Sequence, residues 1–148
     1  MMHQGPNSFE YALAKIRENP YSLNVEQLEK LGLRMSWEDS LRLCQERSRI
    51  SWARVEGEFA YVCGFQEYGP LTYNAWSFFS EGLAQNTRMV LRDFKKYHQT
   101  MDHISGHLGF ATAKVPEDFI KAIRFLEALG YSIKAYDEGS FYLQRHLL

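Results

Sequence analysis

With 148 residues, 45% of them hydrophobic and 15% aromatic, the chain has the length and apolar content of a domain that folds around its own core without disulfide or metal staples. Seventeen basic residues stand against eighteen acidic ones, a net charge of -1, so the field that draws a protein to a polyanion is missing and nucleic acid is not an expected partner. No run approaches the ~18 consecutive apolar residues of a membrane span, and Met1 to Ser8 carry neither the basic segment nor the apolar run of a secretory signal.

Residues 1–7, with Gly5 and Pro6, are expected to be a flexible start, and residues 8–148 a single domain. Ser8 is placed to cap a helix carrying Phe9, Ala12, Leu13 and Ile16 at helical spacing, with Pro20 ending it. Asn24 is the expected cap of a second helix, Val25, Leu28 and Leu31 its apolar stripe, and Gly32 its stop. Ser36-Trp37-Glu38-Asp39 resembles a capping box and opens a third helix that buries Trp37, Leu41 and Cys44. Two β-rich runs, Ser51 to Val55 and Phe59 to Phe65, joined by Glu56-Gly57-Glu58, read as a hairpin. Alternation of Phe59, Tyr61, Phe65 and Tyr68 assigns these rings to core packing rather than to stacking on bases. Cys44 and Cys63, one on a helix and one on a strand without C-x-x-C spacing, read as buried free thiols of a reducing compartment.

After Gly69-Pro70, Ala75 to Phe79 is a third strand whose apolar character implies burial on both faces. A helix from about Ala84 to Gln99 follows, turning Thr87, Val90, Leu91, Phe94 and Met101 inward and Arg88, Arg92, Lys95 and Lys96 outward. Ile104 to Ala113 is expected to be a fourth strand, Gly106 and Gly109 marking a bulge or a close backbone approach. Pro116 suits the first turn of a helix that turns Phe119, Ala122, Ile123 and Leu126 to the sheet and stops at Gly130. Tyr131 to Ala135 and Phe141 to Arg145, around Asp137-Glu138-Gly139, close the chain as two strands. The order strand, helix, strand, helix, strand implies a parallel pair at the centre of a mostly antiparallel sheet, an α/β (α+β) fold with helices leading and two packed later.

Asp102, His103 and His107 are the one cluster with metal-ligand chemistry. In an extended segment the four-residue step from one histidine to the other spans about 13 Å, too far to share an ion, so no metal is expected. Nucleophile-elbow, zinc-protease and P-loop patterns are absent from the sequence.

The run Ala122 to Tyr131, reading A-I-R-F-L-E-A-L-G-Y, resembles the signature helix of the GNAT acyltransferases, and the order of elements from about residue 8 to 146 is similar to theirs. The run Val25 to Phe65 and the stretch Ile123-Arg124-Phe125-Leu126 resemble the small GNAT-like proteins of tailed bacteriophages, among them a minor internal virion protein of short-tailed phages. The resemblance implies a GNAT-like mixed sheet. It also implies an acetyl-CoA diphosphate held on backbone N–H groups in a loop reading approximately Q/R-x-x-G-x-G/A, where glycine permits close approach.

The matching segment here is Gln85-Asn86-Thr87-Arg88-Met89-Val90, with Arg88 and Val90 where small residues belong and Glu81 in the preceding loop as a competing carboxylate. In the signature helix the family commonly places a tyrosine as general acid for the departing thiolate. Leu126 stands there, leaving Tyr131 and Tyr136 as weak substitutes. These departures imply a non-catalytic or degenerate GNAT-like phage protein without a bound cofactor, virion-associated or a morphogenesis factor. Such a protein acts through contacts with virion components or a host protein, with self-association possible, and resides in the host cytoplasm or the particle. The alternatives are an N-acetyltransferase using acetyl-CoA through an atypical phosphate loop, and an inhibitor of a host protein.

Overall fold

Phe9, Ala12, Leu13 and Ile16 recur every three or four residues, and they form the buried stripe of α1 (Pro6–Glu18). The computed structural model describes residues 6–30 and 34–148. The predicted stop of the second helix at Leu31 and Gly32, the side chain of Leu28 and the first five residues lie outside that range.

Helix α2 (Ser22–Lys30) begins two residues before the expected cap. Its N-terminus is satisfied from far along the chain, because the Ser22 amide donates to Glu81 Oε1 at 3.1 Å. Asn24 therefore lies inside the helix, where its Oδ1 accepts from the Phe79 amide at 3.1 Å. In α3 (Trp37–Glu46) the expected cap holds: Ser36 Oγ accepts from the Asp39 amide at 3.2 Å. Arg17 makes a bidentate pair with Glu38, both bonds 2.7 Å, and Arg42 bonds Glu10 and Asp39, which ties α1 to α3.

Strands β1 (Ser48–Glu56) and β2 (Phe59–Gly69) form the expected antiparallel hairpin, longer at both ends, with Glu56 opposite Phe59 and Gly57 at φ +60° in the turn. Strand β3 (Thr72–Phe79) starts three residues earlier than the apolar run suggested, and it is largely half-buried rather than buried on both faces. The rest of the chain runs α4 (Leu83–Ile104), β4 (Phe110–Pro116), α5 (Ile120–Ala128), β5 (Ser132–Asp137) and β6 (Ser140–His146). The strands lie in the order β1-β2-β3-β4-β6-β5, with β3 and β4 parallel through Thr72–Asn74 against Phe110–Thr112 and both β4–β6 and β5–β6 antiparallel.

The contacts gather into two units. The first comprises the chain to Gln66 with Trp76–Thr87, and its core joins the α1 stripe to Leu41, Ala53, Ala60, Val62 and Phe78. Trp37 lies flat on Phe78, centroids 5.0 Å apart, and is half-buried rather than buried. Cys63 is buried and in no disulfide, as expected, whereas Cys44 is half-buried. The second unit comprises Glu67–Ala75 and Arg88–Leu148. It buries Ala111, Ala113 and Val115 of β4 and Leu143 of β6, together with Val90, Phe94, Tyr97 and Met101 of α4. Phe94 meets Phe125 of α5 edge-on at 5.6 Å. Tyr68, assigned to the core by alternation, is exposed and bonds Thr112 Oγ1 at 2.9 Å.

Residues 104–109 are not strand. Helix α4 continues to Ile104 and ends in a Schellman-type turn, with the His107 amide donating to Asp102 O at 2.8 Å and Gly106 at φ +71°. Gly109, at φ +91°, makes the close approach expected of it, since a Cβ there would sit 2.1 Å from Leu71 O. Pro116 ends β4 instead of opening α5, which Phe119 precedes without a side-chain cap. Among the described residues no helix is long and apolar enough to cross a membrane.

Candidate functional site: the N-terminus of α4 and the polar core behind it

The exit from β3 is held by a small network. Ser80 Oγ accepts from the Ala60 amide at 2.9 Å, and the Glu81 amide donates to Asn19 O at 2.8 Å. Gly82, at φ +102°, then turns the chain into α4. A helix that starts at Leu83 leaves the N–H groups of Leu83, Ala84 and Gln85 without intrahelical acceptors. They form a positive helix end with no acidic residue in its first turn. Glu81, expected to compete for this dipole, turns its carboxylate to α2 instead.

The six residues proposed as a phosphate loop are helix throughout. Gln85 alone contributes a first-turn amide. Asn86 Nδ2 donates to Gly82 O at 2.8 Å, and Thr87 Oγ1 donates to Leu83 O at 2.9 Å, so both side chains cap backbone rather than face inward, and Thr87 is exposed. Val90 is 0% exposed, turned into the core, and Arg88 is exposed along the helix flank. The helix thus turns Val90 into the core and Arg88 to solvent, where the sequence reading had both in a loop. The donors lie one turn earlier than the motif placed them.

Behind α4 lies a buried polar group that the sequence reading missed. His98, 4% exposed, has Nδ1 at 2.7 Å from Phe94 O and Nε2 at 2.8 Å from the hydroxyl of Tyr131. A carbonyl only accepts, so Nδ1 carries the proton and Tyr131 donates to Nε2. Burial pushes the His98 pKa down to about 4 and that of the Tyr131 phenol up. Arg145 makes a bidentate pair with Asp102, 2.7 and 3.2 Å, and its Nε donates to Leu129 O at 2.9 Å. His98 and Asp102 fall on the same helical stripe as Phe94 and Met101, a spacing that marks them as inward-facing.

Tyr131 is therefore a structural donor, 3% exposed, with its proton committed to His98. Tyr136 is 54% exposed and donates to Glu117 Oε2 at 2.7 Å, which raises its pKa. In both candidate tyrosines the hydroxyl proton is taken, by His98 and by Glu117.

No protein-family model matches the chain, and none of the curated proteins does. Solved structures match along its whole length. A type Ii aminoglycoside 6'-acetyltransferase superposes with a TM-score of 0.68 at 14% identity, covering 100% of this chain and 97% of the other. A Bacillus subtilis acetyltransferase crystallised in complex with CoA gives 0.67 at 12%, covering 99% and 98%. A GNAT-family acetyltransferase from Staphylococcus aureus gives 0.67 at 10%, covering 100% and 99%. The fold is GNAT.

The GNAT arrangement of helices, hairpin and mixed sheet is thus as the sequence implied. His103 and His107, read from the sequence as an extended segment, instead flank the end of α4. Their rings touch edge-to-face, centroids 4.9 Å apart and planes at 77°. The separation of about 13 Å that argued against a shared ion does not exist, because the segment is a helix end and not extended.

Proposed function

We propose that the chain is an acyl-CoA-dependent N-acyltransferase, binding acetyl-CoA with its diphosphate against the N-terminus of α4. The observation that carries this reading is the acid-free first turn of α4, with Glu81 drawn away to α2. Three main-chain donors and the positive end of a 22-residue helix then await an anion. Arg88, exposed one turn further on, adds a cation on the same helix. The solved structures it matches support the reading, since they are acetyltransferases and one is in complex with CoA.

In such a reaction the neutral amine of an acceptor attacks the thioester carbonyl, an amide forms and the thiol is released. A thiolate has a conjugate-acid pKa of about 8.5 and leaves near neutral pH with little assistance. The proton shed by the amine nitrogen reaches sulfur through solvent. Leu126 in place of the family's tyrosine removes an accelerating group and leaves the chemistry itself possible.

The non-catalytic, virion-associated reading keeps Leu126 as a support, whereas Arg88 at the surface and Val90 in the core weigh against an obstructed helix end. Expecting no cofactor rested on the same two residues and on Glu81, whose carboxylate accepts from α2. Calorimetric titration of acetyl-CoA into the wild type and Ala84→Asp, combined with release of free thiol in the presence of amine acceptors, separates the readings. A carboxylate at Ala84 repels the diphosphate, so affinity falls about tenfold, the equivalent of ~1.4 kcal/mol. Binding without thiol release favours the non-catalytic reading. Absence of binding by the wild type overturns the proposal.

A further inference from the structure

The geometry points to a two-imidazole clamp for a divalent transition-metal ion, formed by His103 and His107 at the C-terminal end of α4. Nothing in the acyl-transfer reading uses these residues, which lie at the other end of the same helix from Gly82.

The turn creates the pair. Gly106 at φ +71° and His107 at φ +62° fold the chain back after Ile104, and the His107 amide bonds to Asp102 O, so the two histidines share one side of the helix end. A left-handed conformation strains a non-glycine residue, and here that strained residue delivers the ring that touches His103. Two imidazoles on one ion at about 2.0–2.1 Å hold their ring centroids roughly 4.5–5.2 Å apart for ordinary angles at the metal. The observed 4.9 Å falls within that span, and the two exposed rings, edge-to-face here, need only turn about their side-chain bonds to bring one nitrogen of each to the ion.

Three further features fit a cation there. Both residues are exposed, so water can complete the coordination. The carbonyl end of α4 carries the negative pole of the helix. Imidazole nitrogens select zinc, nickel and copper(II) over magnesium and calcium. Asp102 is held by Arg145 and does not join, and no group of three ligating side chains occurs among the described residues. The site is accordingly bidentate and exchangeable. Its occupancy cross-links the last turn of α4 to the segment leading into β4, which stabilises the folded chain by mass action.

Calorimetry and thermal melts of the full chain with NiCl2, ZnCl2 and MgCl2 test this, using His103→Gln, His107→Asn and His146→Gln. Asparagine tolerates the left-handed conformation, so the second variant keeps the turn. The expected result is one equivalent of nickel or zinc bound, a raised melting temperature, and no response to magnesium. Each clamp variant should lose about tenfold or more in affinity as the chelate is broken, while His146→Gln binds as the wild type does. Binding that persists undiminished in His103→Gln, or a wild type that binds neither zinc nor nickel, overturns the inference.

Discussion

Replacing Gly109 by alanine tests how tightly the β3–β4 pair is built. An added Cβ would meet Leu71 O at 2.1 Å, Leu71 Cβ at 2.7 Å and the Leu71 carbonyl carbon at 2.9 Å, mostly backbone that cannot rotate away. The position also needs φ +91°, which costs an L-residue roughly 1–2 kcal/mol. Relief of the clash requires the two segments to part. That strains the bonds from the Phe110 amide to Leu71 O, 2.9 Å, and from the Leu147 amide to Gly109 O, 3.1 Å, each worth about 1 kcal/mol. The expected loss is about 3–4 kcal/mol, a large part of a domain's usual 5–15 kcal/mol. Gly106→Ala is the matched control, since φ there is +71° but nothing lies within 4 Å of the new Cβ, leaving only the conformational cost. Urea unfolding with a common slope reads the difference, expected near 2 kcal/mol. Equal destabilisation by the two substitutions would refute the role assigned to the Leu71 contact.

His98 makes stability depend on acidity: its folded pKa, about 4, lies below the ordinary value of 6.5, so the unfolded chain binds the extra proton first. The stabilisation is complete above pH 6.5 and is lost progressively as pH falls toward 4, by up to about 3 kcal/mol, and denaturant midpoints at pH 7.5 and 4.5 should show it, with His98→Gln flattening the dependence. Arg145→Met leaves Asp102 desolvated without its partner and should cost about 3–5 kcal/mol in chemical denaturation, whereas a loss below ~1 kcal/mol would mean the pair is screened by solvent.

Periodicity revealed what local chemistry decides. The stripe Phe9, Ala12, Leu13 and Ile16, the Ser36 cap and the hairpin around Gly57 were legible because each is settled within a few residues. Helix α2 was misplaced because its first amide is satisfied by Glu81, 59 positions away. The segment 103–107 is not legible as a helix end because Gly106 is ambiguous: glycine weakens a strand and equally terminates a helix. The candidate site was half legible. The motif located α4, but treating Gln85 to Val90 as loop made Arg88 and Val90 seem obstructive, whereas a helix turns one to solvent and the other into the core.

Strand β6 lies between β4 and β5 although it follows both in the chain. The two earlier strands therefore have no common edge to join, and each must wait with open amides until β6 is inserted between them. Closure of this half of the sheet is a three-body event, sensitive to anything that delays the final hairpin. Before that moment two unfilled edges are available for pairing with other chains, which makes the interval before β6 docks the point of greatest exposure to aggregation.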